Sequence, residues 1–235
     1  MYTFESRVRY SEVDHTELIT LPAIINYFQD CSTFQSEDLG VGIDYLKEKQ
    51  QGWILSSWQI IVNRYPGMGE KIDISTWATG FEGLYGTRNF RMRDEKKETV
   101  AYANSIWVFM DMKKGRPVKP DADDIAKYGL DEPLEMEYAS RKITLPKETE
   151  ELAAFPVRKY HIDTNEHVNN CQYVQMALEV LTEEIRVRQA RVEYKKSAVY
   201  GDEIFPKVAR EEGRTVVELC DIKGKPYAVV ELIGE

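Results

Sequence analysis

The stretch FPVRKYHIDTNEHV, residues 155–168, is similar to the stretch FESRVRYSEVDHTEL, residues 4–18, and this repetition decides the fold. Each stretch begins with a Phe, continues through an Arg and a Tyr, and then reaches an Asp. Two further pairs of similar stretches follow in the same order: GEKIDISTWA from Gly69 with GDEIFPKVAR from Gly201, and VAYANSIWVF from Val100 with KPYAVVELIG from Lys225. Each match alone is weak, but three landmarks in one order indicate a duplicated domain.

Each copy predicts a helix after an extended entry segment. In the first copy, Pro22 suits the first turn of a helix that begins near Thr20 and ends at Gly40. Its buried positions recur at helical spacing: Ile24, Phe28 and Cys31. In the second copy, Asn169 or Asn170 caps a helix. The buried stripe of that helix is predicted to be Tyr173, Ala177, Val180 and Leu181.

Strands rich in Val, Ile, Trp, Tyr and Phe follow each helix. They are predicted over residues 52–64, 71–82, 86–94 and 99–110 in the first copy, and over residues 186–196, 203–210, 215–221 and 226–233 in the second. A helix followed by consecutive strands favours an antiparallel sheet packed on that helix, so the expected fold class is α+β. The two domains are expected at residues 1–112 and 151–235, joined by a surface linker over residues 113–150.

The composition is that of a globular protein without a membrane segment. Hydrophobic residues make up 43% and charged residues 30% of the chain. No apolar run approaches the roughly 18 residues that a membrane helix needs. The N-terminal sequence has no basic start followed by an apolar core, so no signal peptide is expected. The net charge of −9 argues against general nucleic-acid binding, which needs a basic surface.

The cysteines are too few and too scattered for a disulfide framework. There are three of them, Cys31, Cys171 and Cys220. An odd, sparse set of this kind indicates reduced thiols and a cytoplasmic location. No Cys–Cys or Cys–His spacing suggests a zinc site, so neither a metal nor another cofactor is expected.

The stretch HIDTNEHVNN, residues 161–170, is the candidate reaction site. For Asn169 or Asn170 taken singly, the favoured interpretation is a helix cap. His167 with Asp163 and Asn165 has the parts of a site, because a carboxylate can orient an imidazole and an amide can hold a carbonyl or a water. The N–H groups at a helix start suit a developing oxyanion. This set favours attack on a thioester or another acyl carbonyl.

The first copy of the repeat lacks two of these groups. With the two Asp residues aligned, Thr16 stands opposite Asn165 and Leu18 stands opposite His167. A motif that served only as a cap would need comparable polar groups in both copies. The asymmetry therefore indicates that the second copy carries out the chemistry and that the first has another task, such as holding an acyl chain. Phe28 and Phe34, with some of the tryptophans of the first half, are candidates to line an acyl tunnel, and core packing is the other interpretation, which periodicity does not separate from the first. These tryptophans are Trp53, Trp58, Trp77 and Trp107.

The sequence resembles the acyl-[acyl carrier protein] thioesterases of plants and bacteria over nearly its whole length. The similar segments are WILSSWQIIVNRYPGMGEKIDISTWATG from Trp53, GTRNFRMRD from Gly86, ANSIWVFMD from Ala103 and DTNEHVNNCQY from Asp163. The resemblance implies a tandem hotdog, in which a long helix in each half is wrapped by an antiparallel sheet. It also implies that the C-terminal half hydrolyses the thioester of a fatty acyl-[acyl carrier protein], releasing a fatty acid, while the N-terminal half binds the acyl chain.

The chain departs from this family at two adjacent positions. In VEYKKSA, residues 192–198, Ser197 stands where family members have a Glu, and Ala198 stands where the plant enzymes have a Cys. Neither a carboxylate base nor a cysteine nucleophile is therefore available there. Ser197 is expected to be an auxiliary group. Cys171, beside the motif, is expected to be a core residue.

The mechanism predicted from these residues is direct attack by water. Asp163 and His167 position and deprotonate the water, and which of them takes the proton stays open. Asn165 and the N–H groups around Asn169 and Asn170 hold the thioester oxygen.

Two basic clusters on this acidic chain are candidates to bind an acidic carrier protein with its phosphopantetheine-linked acyl chain: Lys113, Lys114 and Arg116, and then Lys195 and Lys196. A solvated surface is the simpler interpretation of either cluster alone. An acyl-CoA thioesterase with the same fold, or an acyl-binding module that has lost turnover, are the alternatives. The retained Asp, Asn and His argue against the module. A homodimer and the acyl chain length stay open.

Overall fold

The computed structural model of the chain describes residues 1–183, 185–211 and 213–234. Its helices are α1 (Leu21–Asp38), α2 (Ile43–Glu48), α3 (Ala122–Tyr128) and α4 (Asn170–Glu179). Its strands are β1 (Tyr2–Arg7), β2 (Gln51–Val62), β3 (Lys71–Glu82), β4 (Tyr85–Asp94), β5 (Thr99–Asp111), β6 (Arg116–Pro117), β7 (Glu150–Glu151), β8 (Phe155–Pro156), β9 (Val187–Tyr194), β10 (Glu203–Glu211), β11 (Arg214–Cys220) and β12 (Pro226–Gly234).

Contacts divide the chain into two compact units, each containing a helix and antiparallel strands. The first unit comprises Met1–Ser56 and Ile60–Tyr138, and its strands lie in the order β1-β3-β4-β5-β2. The second comprises Ser57–Gln59 and the residues from Ala139 on, with the order β9-β12-β11-β10-β7. The α+β class is confirmed, and the predicted strands agree with β2–β5 and β9–β12 to within two residues at each end.

Helix α1 begins where the sequence predicts it. Thr20 is the N-cap, and its hydroxyl accepts a hydrogen bond from the N–H of Ala23 at 3.2 Å. The helix packs on β1 and β3 of the first unit. The predicted face is confirmed, because its three residues are fully buried: Ile24, Phe28 and Cys31. Burial of a large apolar side chain contributes about 1.5–3 kcal/mol, so this face holds α1 on its sheet.

Helix α4 begins at the predicted position but ends earlier than expected. Asn169 is the N-cap, and its side-chain oxygen accepts the N–H of Cys171 at 2.9 Å. Because α4 ends at Glu179, Val180 and Leu181 lie beyond its last turn and are only half-buried, so the prediction was wrong for these two residues. The buried residues of α4 are Cys171, Tyr173, Val174, Met176 and Ala177.

The duplication is visible in two turns that share their hydrogen bonds. The first turn comprises residues 14–18 and the second turn residues 163–167. In each, the N–H of the opening Asp donates to the carbonyl of the last residue, at 3.0 Å and 2.8 Å respectively. The fourth residue, a Glu in both, has a positive φ of 64° and 61°. The alignment of Leu18 with His167 is therefore confirmed.

Two loops that follow β2 and β9 correspond in the same way. They comprise residues 63–70 and residues 195–202. The residue directly after each turn donates its N–H to one carbonyl in the matching loop, that of Pro66 in the first unit and that of Ala198 in the second, both at 2.9 Å. Pro66 and Ala198 are thus equivalent, and Ser197 is equivalent to Tyr65.

The stretch predicted as a linker, residues 113–150, is divided between the two units at residues 138 and 139. The part in the first unit forms α3 and is held by Asn89, whose side-chain oxygen accepts the N–H of Leu134 at 2.9 Å. In the part that belongs to the second unit, Ile143 is buried and its N–H donates to the carboxylate of Glu193 at 3.2 Å. Both parts are therefore tied to the strands of their own unit.

Candidate active site

The second turn places Asn165 and His167 in front of α4. One carboxylate oxygen of Asp163 accepts the N–H of Asn165 at 2.8 Å and the more distant N–H of His167 at 3.4 Å. An Asp that bonds the backbone two residues on stabilises a tight turn. The side chain of Asn165 is exposed and that of His167 is half-buried. The turn therefore presents an amide and an imidazole on one short, ordered segment.

The imidazole of His167 is not held by the Asp163 carboxylate. Within the described ranges, no hydrogen bond or ion pair reaches the ring of His167. The carboxylate instead orders the backbone that carries the ring. The expectation that Asp163 orients the imidazole directly is therefore replaced by an indirect role, through the turn.

Asn169 and Asn170 have different places at the helix start. The side chain of Asn169 caps α4, and its N–H donates to the carbonyl of His161 at 2.8 Å, so the favoured cap interpretation is confirmed for this residue. The carbonyl of Asn170 accepts the hydroxyl of Tyr194 at 2.9 Å. The N–H of Asn170 has no partner in the described part of the chain, so it is the helix-start donor that is available to a ligand.

Ser197 lies beside the motif. Its neighbour Ala198 accepts the N–H of Val168, the residue that follows His167, at 2.9 Å. Ser197 itself is exposed, and among the described residues its hydroxyl has no hydrogen-bond partner. The structure thus brings the position of the family's Glu next to the second turn, with an unengaged hydroxyl.

Two tyrosines lie at the start of α4, Tyr173 buried and Tyr194 half-buried, and the sequence analysis did not assign them to the site. The hydroxyl of Tyr173 accepts the N–H of Ala198 at 2.8 Å, and burial raises the pKa of this tyrosine to about 12. Its ring contacts that of Tyr194 edge to face, with the centroids 5.9 Å apart. Burial also raises the pKa of Tyr194 well above its ordinary value. Both hydroxyls are therefore neutral at physiological pH.

His161 is a second histidine of the motif that the sequence analysis did not weigh. It is 4% exposed, and its Nδ1 accepts the N–H of Arg158 at 3.0 Å. Burial lowers its pKa. In the first unit, Glu12 makes the same bond with the N–H of Arg9, at 2.8 Å. His161 is therefore a structural residue of the entry segment, and only the repeat comparison reveals this role.

The basic residues predicted to bind a partner differ in how they are engaged. Three of them are exposed around β6 of the first unit: Lys113, Lys114 and Arg116. The ammonium of Lys114 lies 3.3 Å from a carboxylate oxygen of Asp111. In the second unit, Lys195 pairs with Glu193, and Lys196 pairs with Asp221. Both lysines of the second unit thus have structural ion pairs.

Other reactive groups in the described residues are not arranged for catalysis. No group of three or more His, Cys, Asp or Glu side chains is placed there to hold a metal ion. No helix of the described ranges is long and apolar enough to span a membrane. The three cysteines are buried and form no disulfide within the described residues, and burial raises the pKa of Cys171 to about 12. Cys171 is therefore a core residue, as expected, because a nucleophilic cysteine needs a lowered pKa.

The chain has two units of a helix and antiparallel strands, and a polar turn with Asn and His precedes only one of the helices. This arrangement defines a tandem hotdog of the thioesterase type. The chain belongs to the acyl-ACP thioesterase family. The family model described as the acyl-ACP thioesterase N-terminal domain matches residues 1–128, and the one described as the C-terminal domain matches residues 144–227. The resemblance in the sequence is thereby confirmed.

Individual relatives agree with this assignment. The chain is 28% identical over 196 residues to a chloroplastic palmitoyl-acyl carrier protein thioesterase of Cuphea hookeriana. The alignment covers 76% of this chain and 46% of the relative. The chain thus spans about half the length of the curated relatives it matches. An acyl-ACP thioesterase from Bacteroides thetaiotaomicron is similar in structure, with a TM-score of 0.89, 25% identity and coverage of 99% and 97% of the two chains.

A more distant structure shows the same fold. The 12:0-ACP thioesterase from Umbellularia californica has a TM-score of 0.85 and 17% identity to this chain. The alignment covers 100% of this chain and 96% of the other. The tandem hotdog predicted from the sequence is therefore confirmed.

Proposed function

We propose that this protein hydrolyses the thioester of fatty acyl-[acyl carrier protein] and releases a free fatty acid in fatty acid biosynthesis. The observation that carries the proposal is the second turn. In a chain of this family, it presents Asn165 and His167 where the first turn has Thr16 and Leu18. The half-buried imidazole, unbonded within the described residues, is available to take a proton.

In the proposed reaction, His167 removes a proton from a water whose oxygen attacks the thioester carbonyl carbon. The negative charge moves to the carbonyl oxygen, which accepts hydrogen bonds from the Asn165 amide and the N–H of Asn170. The carbon–sulfur bond then breaks, and the thiol leaves with the proton from the imidazolium. General-base help of this kind contributes ~10²–10⁴-fold in rate. One oxyanion donor contributes ~10²–10³-fold.

Asp163 and Ser197 support this reaction in the proposal. Asp163 orders the second turn through its bond to the N–H of Asn165 and adds a negative charge close to the imidazolium that forms. Ser197 has a free hydroxyl beside the turn, which can bond the water but cannot act as a base at neutral pH.

The substrate assignment has two further parts. The first unit binds the acyl chain, because its turn has lost the polar groups while α1 keeps a long apolar face. The acidic carrier protein docks on exposed basic residues. Among the candidates around β6, Lys113 and Arg116 are the freest, because Lys114 lies 3.3 Å from a carboxylate oxygen of Asp111. Lys195 and Lys196 contribute less, because each already has a carboxylate partner.

The experiment that tests this function measures steady-state hydrolysis of acyl-carrier-protein and acyl-CoA thioesters of equal chain length. The control variant is His167→Ala. We expect a higher kcat/KM with the carrier protein and loss of most activity in the variant. A preference for acyl-CoA would move the protein to the alternative substrate class. Tight acyl-carrier-protein binding without turnover would identify an acyl-binding module and overturn the proposal.

A cytoplasmic location and a homodimer belong to the same proposal. Three buried cysteines that form no disulfide within the described residues are compatible with a reducing compartment. Cell fractionation tests the location. Sedimentation or size-exclusion chromatography tests the dimer, and a monomer at micromolar concentration would contradict it.

A further inference from the structure

We infer that Tyr173 is a positioning residue of this site, which fixes the Ser197–Ala198 peptide beside His167. The inference rests on the proposed function, because it adds one residue to the proposed reaction. Tyr173 lies in the first turns of α4 and is 2% exposed. Its hydroxyl oxygen accepts the N–H of Ala198 at 2.8 Å, inside the second unit. This bond joins the helix to the loop of residues 195–202.

Both backbone groups of Ala198 are held, one from each side. The carbonyl accepts the N–H of Val168, which directly follows His167, and the N–H donates to Tyr173. The N–H of Ala198 belongs to the peptide group that also contains the carbonyl of Ser197. The bond to Tyr173 therefore sets the orientation of this peptide and, with it, where the Ser197 side chain stands relative to His167.

The surroundings of Tyr173 hold its ring in place. The ring meets that of Tyr194, whose hydroxyl donates to the carbonyl of Asn170 at 2.9 Å. The two tyrosines thus connect the start of α4, the end of β9 and the loop that carries Ser197. The hydroxyl of Tyr173 is neutral at physiological pH, so it serves as a hydrogen-bonding group and not as a base.

The first unit shows that the fold does not require this bond. Tyr173 is the fourth residue after the N-cap of α4, and the fourth residue after the N-cap of α1 is Ile24, which has no hydroxyl. The residue equivalent to Ala198 is Pro66, which has no N–H to donate. Donor and acceptor are thus both absent from the copy that lacks the His. The bond is specific to the unit with the candidate site.

The first test compares Tyr173→Phe with a matched variant, Tyr27→Phe. Tyr27 lies on α1, is also 2% exposed, and its hydroxyl donates to the carboxylate of Glu12 at 2.8 Å. Both variants remove one buried hydroxyl and should lower thermal stability, Tyr27→Phe at least as much as Tyr173→Phe, because the Tyr27 hydroxyl has a charged partner. We expect Tyr173→Phe to reduce kcat by up to about tenfold, the effect expected from removing the Ser197 hydroxyl itself, with KM changed less than about threefold. Tyr27→Phe should keep the parent kcat.

The second test is a double-mutant cycle with Ala198→Pro, which copies the first unit by removing the N–H. If Tyr173 acts through this N–H, Tyr173→Phe should have no further effect on kcat in the Ala198→Pro background. An equal loss of kcat in both backgrounds would overturn the inference, and so would an unchanged kcat in Tyr173→Phe.

Amide hydrogen exchange at Ala198 separates this inference from the proposed function. Exchange should be slow in the parent and much faster in Tyr173→Phe, whether or not the protein turns over the thioester. A parent that hydrolyses no acyl thioester would refute the proposed function alone. Unchanged exchange at Ala198 would refute the positioning role. The exchange measurement tests this role even if Ala198→Pro does not fold.

Discussion

The first turn and the second turn have the same backbone and different side chains. Each opens with an Asp whose N–H bonds the carbonyl of the last residue, and each has a Glu with positive φ in fourth place. In each, the opening carboxylate accepts the N–H of the residue two positions on, at 2.8 Å. The turn is therefore a structural device of the hotdog unit, and its presence alone does not make a site.

The side chains distinguish the turn of the candidate site from the other turn. In the first turn, the carboxylate of Asp14 also accepts the hydroxyl of Thr16 at 2.6 Å, so the polar groups satisfy each other. In the second turn, the described contacts leave the Asn165 amide and the His167 imidazole without such a partner. These two groups are therefore available to bond a ligand or a water.

The loops that follow β2 and β9 contain equivalent ion pairs, and one of them includes Lys196, which was predicted to bind the carrier protein. In the first unit, Arg64 pairs with Asp94 at 2.8 Å, and in the second unit Lys196 pairs with Asp221. The hydrogen bond from Lys196 lowers the pKa of Asp221 to about 2. Because the ion pair recurs in the unit without the candidate site, its main role is structural.

The largest expected effect separates His167 from its counterpart. His167→Ala should lower kcat by ~10²–10⁴-fold, the usual contribution of a general base, and leave the fold intact. Leu18→Ala is the matched change in the first turn and should leave kcat within about threefold of the parent, well under the effect of a general base. Steady-state kinetics with acyl-carrier-protein substrate, alongside thermal unfolding, measures both. A His167→Ala variant within a factor of a few of the parent would remove this residue from the mechanism.

The two opening Asp residues provide the next comparison. Asp163→Asn keeps an oxygen that can accept the turn N–H but loses the charge near the imidazole. We expect kcat to fall by ~10²-fold, at the lower end of what acid–base groups contribute. Asp14→Asn should leave kcat nearly unchanged, because Leu18 occupies the position of His167 in the first turn. Equal effects of the two substitutions would show that both carboxylates serve only the turn.

Ser197 should show a smaller effect. Ser197→Ala removes one hydrogen-bonding group of modest worth and should cost about tenfold or less in kcat. Ser197→Glu sharpens the test, since a kcat above that of the parent would mean that the position still accommodates a carboxylate base. A burst of product with an acyl adduct on Ser197 in mass spectrometry would replace direct water attack by a serine acyl-enzyme.

The smallest effect on kcat is expected in the first unit. Phe28 is fully buried on α1 and its ring packs on that of Phe90 at 5.3 Å. Phe28→Leu opens space there and should shift the preferred acyl chain toward greater length with little change in kcat. Phe109→Leu, a buried change on β5, is the control and should lower stability without a shift. An unchanged chain-length profile in Phe28→Leu would contradict an acyl-binding role for this face.

Much of the fold was predictable because its signals are local. Helical spacing placed Ile24 and Phe28 on the buried face of α1. Stretches rich in Val, Ile, Trp, Tyr and Phe placed the eight long strands that follow the helices. The incorrect prediction in α4 also concerns a local feature, the end of the helix. Val180 and Leu181 fit the helical spacing, but α4 had already ended at Glu179, and helix ends are the least certain part of such a pattern.

The sequence by itself determined the duplication, the two helix-and-strand units and the position of the polar turn with Asn165 and His167. These features depend on residues that are neighbours in the chain or that recur between the copies. Their physical origin is periodic burial and turn chemistry, which act over a few residues.

Only the tertiary structure decided what the groups of the turn contact. Asp163 bonds the backbone of its turn and not the imidazole, His161 is a structural residue, and Tyr173 reaches the N–H of Ala198. A hydrogen bond requires two groups within about 3 Å in the right orientation. For residues 25 positions apart, such as Tyr173 and Ala198, that geometry is fixed by how the helix packs on its strands, which no local pattern in the sequence specifies.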